Sequence, residues 1–214
     1  MSLDVRMLTV GPIAENCFVF RSEDSDRGLI VDPGEEADRI LAPVEELGLK
    51  IDAILLTHCH FDHIGAVAPV AKATGAPVYC PEIEVPVLAD IMSYVPWPGF
   101  GPYESYEADE TVAGGETLAL AGLELDVVFT PGHSPGHVSY SVRDEDALFS
   151  GDVLFQGSVG RVDLPGGDWP TLLESIRTLV DSHSPETTVY PGHMGITTLG
   201  AERATNPFLA ELAR

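Results

Sequence analysis

The stretch Thr57-His58-Cys59-His60-Phe61-Asp62-His63 decides the interpretation of this sequence, because it places three histidines and an aspartate within one short peptide. It follows Ile51–Leu56, a continuous apolar run of strand length. In an extended strand end His58 and His60 point the same way, whereas the Asp62-His63 pair falls where a following helix starts. One peptide can therefore serve two adjacent metal ions. By composition alone, this His-x-His-x-Asp-His pattern has a chance of about 10⁻³ of occurring here, so we interpret it as a metal site.

Three further segments combine a glycine with a metal-type side chain directly after an apolar strand. They are Thr130–His133 (TPGH), Ser150–Asp152 (SGD) and Tyr190–His193 (YPGH). Side chains at strand ends and in the loops beyond them converge on one edge of a sheet, where α/β proteins build their sites. Five of the seven histidines lie in the four motifs. We therefore do not interpret these five as histidines without a function.

Two residues beside these motifs are candidates for supporting the ligands. Asp32 ends an apolar strand in the VDPG stretch at 31–34, and it either orients a ligand histidine from behind or is a turn aspartate. His137 follows His133 by four residues and is expected to support the site or the fold. Cys59 alternates with the neighbouring histidines, so its side chain is expected to point into the core.

The rest of the chain is predicted to form short strands and amphipathic helices with no separate linker. Strands are predicted at 5–10, 17–21, 29–32, 51–56, 78–80, 117–120, 123–129, 138–142, 147–150 and 187–190, and helices at 37–47, 64–71 and 172–180, with a short last helix from Asn206-Pro207. Two halves of strands, each with flanking helices, favour a single layered α/β domain spanning residues 1–214.

Residues 84–110 differ from the rest of the chain because prolines and aromatic residues are concentrated there. A short helix is predicted first, followed by a long aromatic loop. Long ordered loops in compact domains are often lids or binding loops. A surface excursion packed onto the core is an equally good interpretation of this segment.

Composition restricts the classes of partner. The chain has 214 residues, enough for one sizeable core, and its formal charge is −23. Such a surface repels phosphate backbones and anionic headgroups, which disfavours nucleic-acid and membrane partners. Only Lys50 and Lys72 supply lysine, a composition that fits either salt adaptation or a merely acidic protein. Three cysteines, no signal-peptide pattern and no apolar run of about 18 residues lead us to expect a cytoplasmic protein.

In this order, the four motif segments resemble those of the metallo-β-lactamase fold superfamily. The Gly151-Asp152 pair followed by the run 157–168 (GSVGRVDLPGGD) is similar to the short, single-domain glyoxalase II-like hydrolases of prokaryotes. The resemblance covers nearly the whole chain. It implies a four-layer αβ/βα sandwich, in which two mixed sheets pack together with helices outside.

The resemblance also implies a ligand set for two divalent cations, with Zn²⁺ expected and Fe or Mn as alternatives. One ion would be held by His58, His60 and His133, and the other by Asp62, His63 and His193, while Asp152 would bridge them. A hydroxide between the ions would attack a thioester carbonyl, with Asp62 and Asp152 as the catalytic carboxylates. The expected partner is therefore a small-molecule thioester, such as a hydroxyacyl-thiol.

Substrate contacts are expected from two regions. Full-length glyoxalase II enzymes carry a helical C-terminal domain with cationic contacts to glutathione, and only residues 194–214 follow the last ligand here. Arg161 falls near a family cation that contacts the thiol carrier. We expect aromatic residues of the 84–110 loop, Trp97 and Tyr103 among them, to wall the pocket opposite Arg161.

Two alternatives come from different functional classes. A persulfide dioxygenase of the same superfamily would hold one Fe(II) on His58, His133 and Asp152, and it would retain the other ligand-type residues. The glycine- and proline-rich run 158–168 favours the hydrolase. A non-enzymatic binding protein would be expected to have lost ligands, and none is missing here.

Overall fold

Residues 2–211, the part described by the computed structural model, contain two six-stranded mixed sheets. The first sheet runs in chain order through β1 (Leu3–Val10), β2 (Glu15–Ser22), β3 (Arg27–Val31), β4 (Lys50–Leu55), β5 (Val78–Pro81) and β6 (Glu110–Val112). Its first three strands are antiparallel, and β3 to β6 are parallel.

The second sheet comes from the later part of the chain. Its strands are β7 (Thr117–Leu120), β8 (Leu123–Phe129), β9 (Val138–Val142) and β10 (Ala147–Gly151), and then, after a small hairpin of β11 (Leu154–Phe155) and β12 (Ser158–Val159), β13 (Thr188–Pro191) and β14 (Thr197–Thr198). The spatial order is β14-β13-β10-β9-β8-β7, with β10 and β13 parallel and the other neighbours antiparallel.

Seven α-helices complete the described chain. They are α1 (Ala37–Glu46), α2 (Phe61–Ile64), α3 (Val67–Thr74), α4 (Val85–Ala89), α5 (Ile91–Tyr94), α6 (Trp169–Ser182) and α7 (Leu199–Thr205), and 3₁₀ turns occupy Glu82–Glu84 and Pro207–Glu211. Between residues 2 and 211, no helix has both the length and the apolar character needed to cross a bilayer.

The two sheets pack face to face through an aromatic core. Phe18 and Phe20 of β2 meet Phe149 of β10, with ring centroids 5.4 and 4.4 Å apart. The outer face of the first sheet is covered by α1 and α3, and the outer face of the second by α6. Since central strands such as β3 and β10 are buried on both faces, the result is the predicted four-layer αβ/βα sandwich.

The ends of four strands from the two sheets meet at one edge. Strands β8, β10 and β13 run in the same direction, so their carboxyl ends lie together. The Val138 N–H donates to the Thr57 carbonyl at 2.8 Å, and the Asn16 N–H donates to the Gly192 carbonyl at 2.7 Å. These bonds tie the segment after β4, and the start of β2, to the second sheet and the segment after β13. All four motif segments therefore reach the same edge.

The 84–110 segment begins, as predicted, with short helices and continues as a loop. Helices α4 and α5 occupy its first half, and residues 95–109 form no regular helix or strand. The predicted last helix is a 3₁₀ turn at Pro207–Glu211, and α7 before it was not predicted. Gly200 near the start of α7 hides its helical periodicity.

Candidate metal centre

The ring nitrogens of three histidines from two segments lie close together at this edge of the sheets. The N-cap residue of α2, His60, places its Nδ1 3.1 Å from His58 Nε2 and 2.8 Å from His133 Nε2. His58 and His60 lie between β4 and α2, and His133 follows β8. Three imidazole nitrogens at this spacing form a ligand set that can hold one cation.

A second set joins the start of α2 to the segment after β13. Asp62 Oδ2 lies 3.4 Å from His193 Nε2 and 3.8 Å from His63 Nε2. The ligand atoms of these three side chains all lie within 4.8 Å of one another. This group has the two nitrogens and one carboxylate that a second cation would need.

Asp152 lies between the two sets. Its Oδ2 is 3.3 Å from His133 Nε2 in the first set and 3.5 Å from His193 Nε2 in the second. Its Oδ1 is 3.4 Å from His63 Nε2. All seven ligand residues predicted from the sequence are thus brought together, and one carboxylate faces both groups.

A hydrogen-bonded chain behind the site fixes the rings of His58 and His63. Thr57 donates its backbone N–H and its hydroxyl to Asp32 over 2.7 and 2.6 Å. The hydroxyl therefore accepts from His58 Nδ1, 3.0 Å away, and His63 Nδ1 donates to Asp32 at 3.1 Å. When neutral, both rings therefore keep an Nε2 lone pair that faces the other ligand residues. Asp32 also forms a possible cation set with these two histidines, but its oxygens are already engaged, so we assign it to the supporting layer.

His133, His193 and His137 also have one ring nitrogen hydrogen-bonded to the backbone. His133 Nδ1 donates to the Arg161 carbonyl at 2.7 Å, and His193 Nδ1 donates to the Ala14 carbonyl at 3.2 Å. His137 Nε2 accepts from the Asp152 N–H at 3.0 Å, so its Nδ1 carries the proton and faces Thr130. His137 therefore supports the Asp152 backbone and is not free to be a ligand.

Buried atoms without partners test whether a cation fits. His63 Nε2 and Asp152 Oδ1 are both buried and have no hydrogen-bond partner, although they face each other at 3.4 Å. Gly192 leaves the space beside them open, because a Cβ there would lie 2.3 Å from Asp152 Oδ1 and 2.7 Å from His63 Cε1. Unpaired buried polar atoms are costly. A cation with nitrogen and oxygen ligands would pair both, so these residues fit a metal.

The buried histidines and carboxylates of the site shift one another's pKa values. Burial opposes charge on His63, but Asp152 and Asp62 outweigh it and raise the pKa of His63 well above its ordinary value. Burial also opposes ionisation of Asp152, yet His63, His193 and His133 hold its pKa well below the usual range. Burial and the neighbouring His133 lower the pKa of His60 to about 3. His60 is thus a neutral ring with a free lone pair at neutral pH, as metal binding requires.

Two buried glutamates near the site had no recognisable signal in the sequence. Glu15 is buried with both carboxylate oxygens unpaired, and one of them lies 3.8 Å from His63 Nδ1. Burial raises its pKa well above the ordinary value. Glu84 accepts from the Ser134 hydroxyl and the Gly136 N–H, each at 2.8 Å, and so anchors the loop that carries His133. Both look like ordinary turn acids, and only their burial distinguishes them.

A cavity of about 600 Å³ opens over both ligand sets, and the 84–110 segment forms part of its wall. Trp97 lines this cavity, as does Arg161. The expectation that they face each other across the pocket is corrected by their contact: the guanidinium carbon lies 5.6 Å from the Trp97 ring centroid. The same guanidinium also pairs with Asp163 through hydrogen bonds of 2.6 and 2.7 Å.

Tyr103 requires a second correction. The structure does not place it among the residues that line the cavity. Its ring stacks on Phe61, with centroids 5.9 Å apart, and its hydroxyl donates to Glu35 Oε1 at 2.5 Å. Tyr103 therefore covers the start of α2 and not the cavity.

Comparison with known proteins agrees with this geometry. The family model described as Metallo-beta-lactamase superfamily matches residues 10–193, which contain all four motif segments. The chain belongs to the metallo-beta-lactamase superfamily. Its two mixed sheets with outer helices are the fold shared with structural neighbours, and its groups of His and Asp side chains suggest divalent metal ions.

Two relatives cover almost the whole chain. The Bacillus subtilis (strain 168) protein named "Probable metallo-hydrolase YqgX" is 43% identical over 209 residues, 95% of this chain and 96% of that protein. The Haemophilus influenzae (strain ATCC 51907 / DSM 11121 / KW20 / Rd) protein named "Hydroxyacylglutathione hydrolase GloC" is 33% identical over 209 residues, 97% of this chain and 98% of that protein.

Two crystal structures are similar to this chain over almost the full length of both chains. The BLEG-1 B3 metallo-beta-lactamase has a TM-score of 0.90 at 40% identity, covering 96% of this chain and 99% of that one. TTHA1623 in a di-iron-bound form has a TM-score of 0.84 at 40% identity, covering 95% and 100%. These proteins share the fold with this chain, while their names describe different properties.

Proposed function

We propose that this chain is a hydrolase that holds two divalent cations and cleaves a thioester. The observation that carries the proposal is the position of Asp152, whose oxygens lie 3.3 to 3.5 Å from histidines of both ligand sets. A carboxylate so placed can bridge two cations. A cation held by His58, His60 and His133 alone would leave the second group, Asp62, His63 and His193, outside its ligand set.

The donor set supports zinc as the resident ion, with iron or manganese as alternatives. Imidazole and carboxylate ligands suit zinc, and they also suit iron. The di-iron-bound form of TTHA1623 supports the view that a site on this fold can accept iron. When bound, such cations lower the pKa of bound water toward about 7 and act as Lewis acids toward a carbonyl oxygen.

The chain's own residues hold and orient the reactants. The Asp62 carboxylate lines the cavity; burial opposes its ionisation, but His63 and His193 outweigh this and lower its pKa. It is therefore ionised at neutral pH and can accept a hydrogen bond from the attacking water. The layer formed by Asp32, Thr57 and His137 keeps the ligand side chains and Asp152 in place. Trp97 shields one side of the cavity from solvent.

Similarity supports the thioester but does not decide it. The name of the GloC relative favours a hydroxyacyl thioester, whereas BLEG-1 carries the name of a B3 metallo-beta-lactamase. A β-lactam amide and a thioester are attacked at a carbonyl in the same way. We prefer the thioester because the name of the GloC relative agrees with the run 157–168, which is similar to the short glyoxalase II-like hydrolases.

We also propose a cytoplasmic enzyme with a small-molecule partner. Cys17, Cys59 and Cys80 are all free and buried, which suits a reducing compartment. The charge of −23 opposes a nucleic-acid partner.

The test compares three substrates on metal-replete protein. We expect release of free thiol from a hydroxyacyl thioester, slower opening of a chromogenic β-lactam, and no oxygen uptake with a persulfide. Asp152→Asn should lower thioester hydrolysis by more than about 100-fold. Asp126→Asn, an exposed aspartate paired with Arg143, should leave it unchanged. Oxygen uptake without thiol release would contradict the proposal and favour a mononuclear iron oxygenase on His58, His133 and Asp152.

A further inference from the structure

The mouth of the cavity is rich in exposed apolar side chains. Ile83, Tyr94 and Met194 are more than half exposed, and Trp97 is 38% exposed, yet all four line the cavity. Large apolar groups held open to solvent around a charged centre are the usual mark of a binding surface. An aliphatic or aromatic group entering the cavity would displace water from all four.

Positive charge is nearly absent from the same surface. Among the cavity-lining residues in the described range 2–211, Arg161 is the only lysine or arginine. Its guanidinium is already paired with both oxygens of Asp163 and packs on Trp97. Arg161 therefore packs on the tryptophan, and a substrate carboxylate would have to compete with Asp163 for its guanidinium.

Three carboxylates also line the cavity. Asp62 and Asp152 belong to the metal site, and Glu84 faces the cavity while it holds the His133 loop. A thiol carrier with two carboxylates, such as glutathione, would find no second lysine or arginine on the cavity wall to pair with its second carboxylate. Charged groups that lose water without a partner weaken binding.

We propose that the cavity selects thioesters whose non-reacting groups are uncharged and apolar. This inference rests on the proposed thioester hydrolysis and names the class of substrate. Trp97, on which Arg161 packs, and Met194 would contact the apolar group. Specificity would then come from apolar area, and recognition of carrier carboxylates would contribute little.

The experiment measures kcat/KM for acetyl, butanoyl and hexanoyl thioesters of N-acetylcysteamine, a small neutral thiol, beside S-D-lactoylglutathione. Each buried methylene should raise kcat/KM by about fourfold until the cavity is filled. The hexanoyl thioester should exceed the glutathione thioester. A flat chain-length series together with a preference for the glutathione thioester would overturn the inference while leaving thioester hydrolysis intact.

Matched variants locate the effect. Trp97→Ala and Met194→Ala should flatten the chain-length series while the metal content stays at the wild-type value. Met7→Ala changes another exposed methionine, on β1 and outside the cavity lining, and should leave the series unchanged. If Arg161→Gln abolishes a preference for the glutathione thioester, Arg161 is a carboxylate receptor and the inference is wrong.

A binding assay separates this inference from the proposed reaction. Trp169 packs on Phe208 outside the cavity lining, so Trp169→Phe leaves Trp97 as the single tryptophan reporter. Non-hydrolysable thioethers of N-acetylcysteamine should change Trp97 fluorescence, with affinity rising from ethyl to hexyl. Chain-dependent binding without hydrolysis of any thioester would refute the proposed reaction and keep the apolar site. Equal affinity across the series would refute the apolar site.

Discussion

Replacing Asp32 by Asn tests how the supporting layer prepares the metal ligands. Asp32 accepts three hydrogen bonds, from the Thr57 N–H, the Thr57 hydroxyl and His63 Nδ1. An asparagine offers one acceptor oxygen and one donor group at the same place. If the oxygen accepts from the Thr57 N–H, the amide N–H faces His63 Nδ1. If the amide is flipped, two donors meet at the Thr57 backbone.

The magnitude follows from the bond that is lost. To accept from the asparagine, His63 must move its proton to Nε2, which removes the lone pair that faces the other ligand residues. A hydrogen bond to a charged group contributes about 1.5–3 kcal/mol. We therefore expect the second cation to bind about 10- to 100-fold more weakly. The first cation should lose less, because His58 reaches Asp32 only through Thr57.

The assay is a competition titration with a chromophoric zinc chelator on the metal-free protein. Asp52→Asn is the matched control, since Asp52 is also a buried carboxylate, and it accepts from Arg27 and the Ala121 N–H far from the site. It should leave both affinities unchanged. Excess zinc should restore most activity to the Asp32 variant. Wild-type affinity for both ions in Asp32→Asn, or an equal loss in Asp52→Asn, would refute the tautomer argument.

Three further predictions concern stability. Gly132→Ala should lower the free energy of unfolding by more than about 3 kcal/mol, because its φ is +125° and a Cβ would lie 2.2 Å from the Leu172 nitrogen. Gly48→Ala, with nothing within 4 Å, is the control and should cost about 1 kcal/mol. Glu84→Ala leaves the Ser134 and Gly136 donors unpaired and should cost about 2–3 kcal/mol in a urea melt, whereas an unchanged midpoint would mean that the His133 loop needs no anchor. With a charge of −23, the melting temperature should rise from low to molar KCl, and a constant or lower value would contradict this.

Apolar periodicity was sufficient to locate the main elements. Strands β7, β8 and β9 begin and end where the alternation of apolar residues predicts. Strands β11, β12 and β14 have two residues each, too few to show any period, and they exist because neighbouring backbone offers partners. The long-range pairing that makes them is not encoded in their own composition.

Some residues of the site could be predicted from the sequence, and others could not. The metal ligands were predicted because their residue types and spacing are rare by chance, and the structure brings them together. Glu15 and Glu84 were missed because a buried glutamate and an exposed one look alike in a sequence. Tyr103 was placed at the substrate because aromatic residues look alike whether they wall a cavity or cover Phe61. Only the path of the loop distinguishes these cases.

Metal stoichiometry is the most direct test of the two-cation proposal. Elemental analysis of protein loaded with excess zinc and then desalted should give two ions per chain for the wild type. Asp152→Ala should retain fewer, because the carboxylate that faces both ligand sets is gone. One ion per wild-type chain, unchanged when His63 or His193 is replaced by alanine, would contradict the proposal.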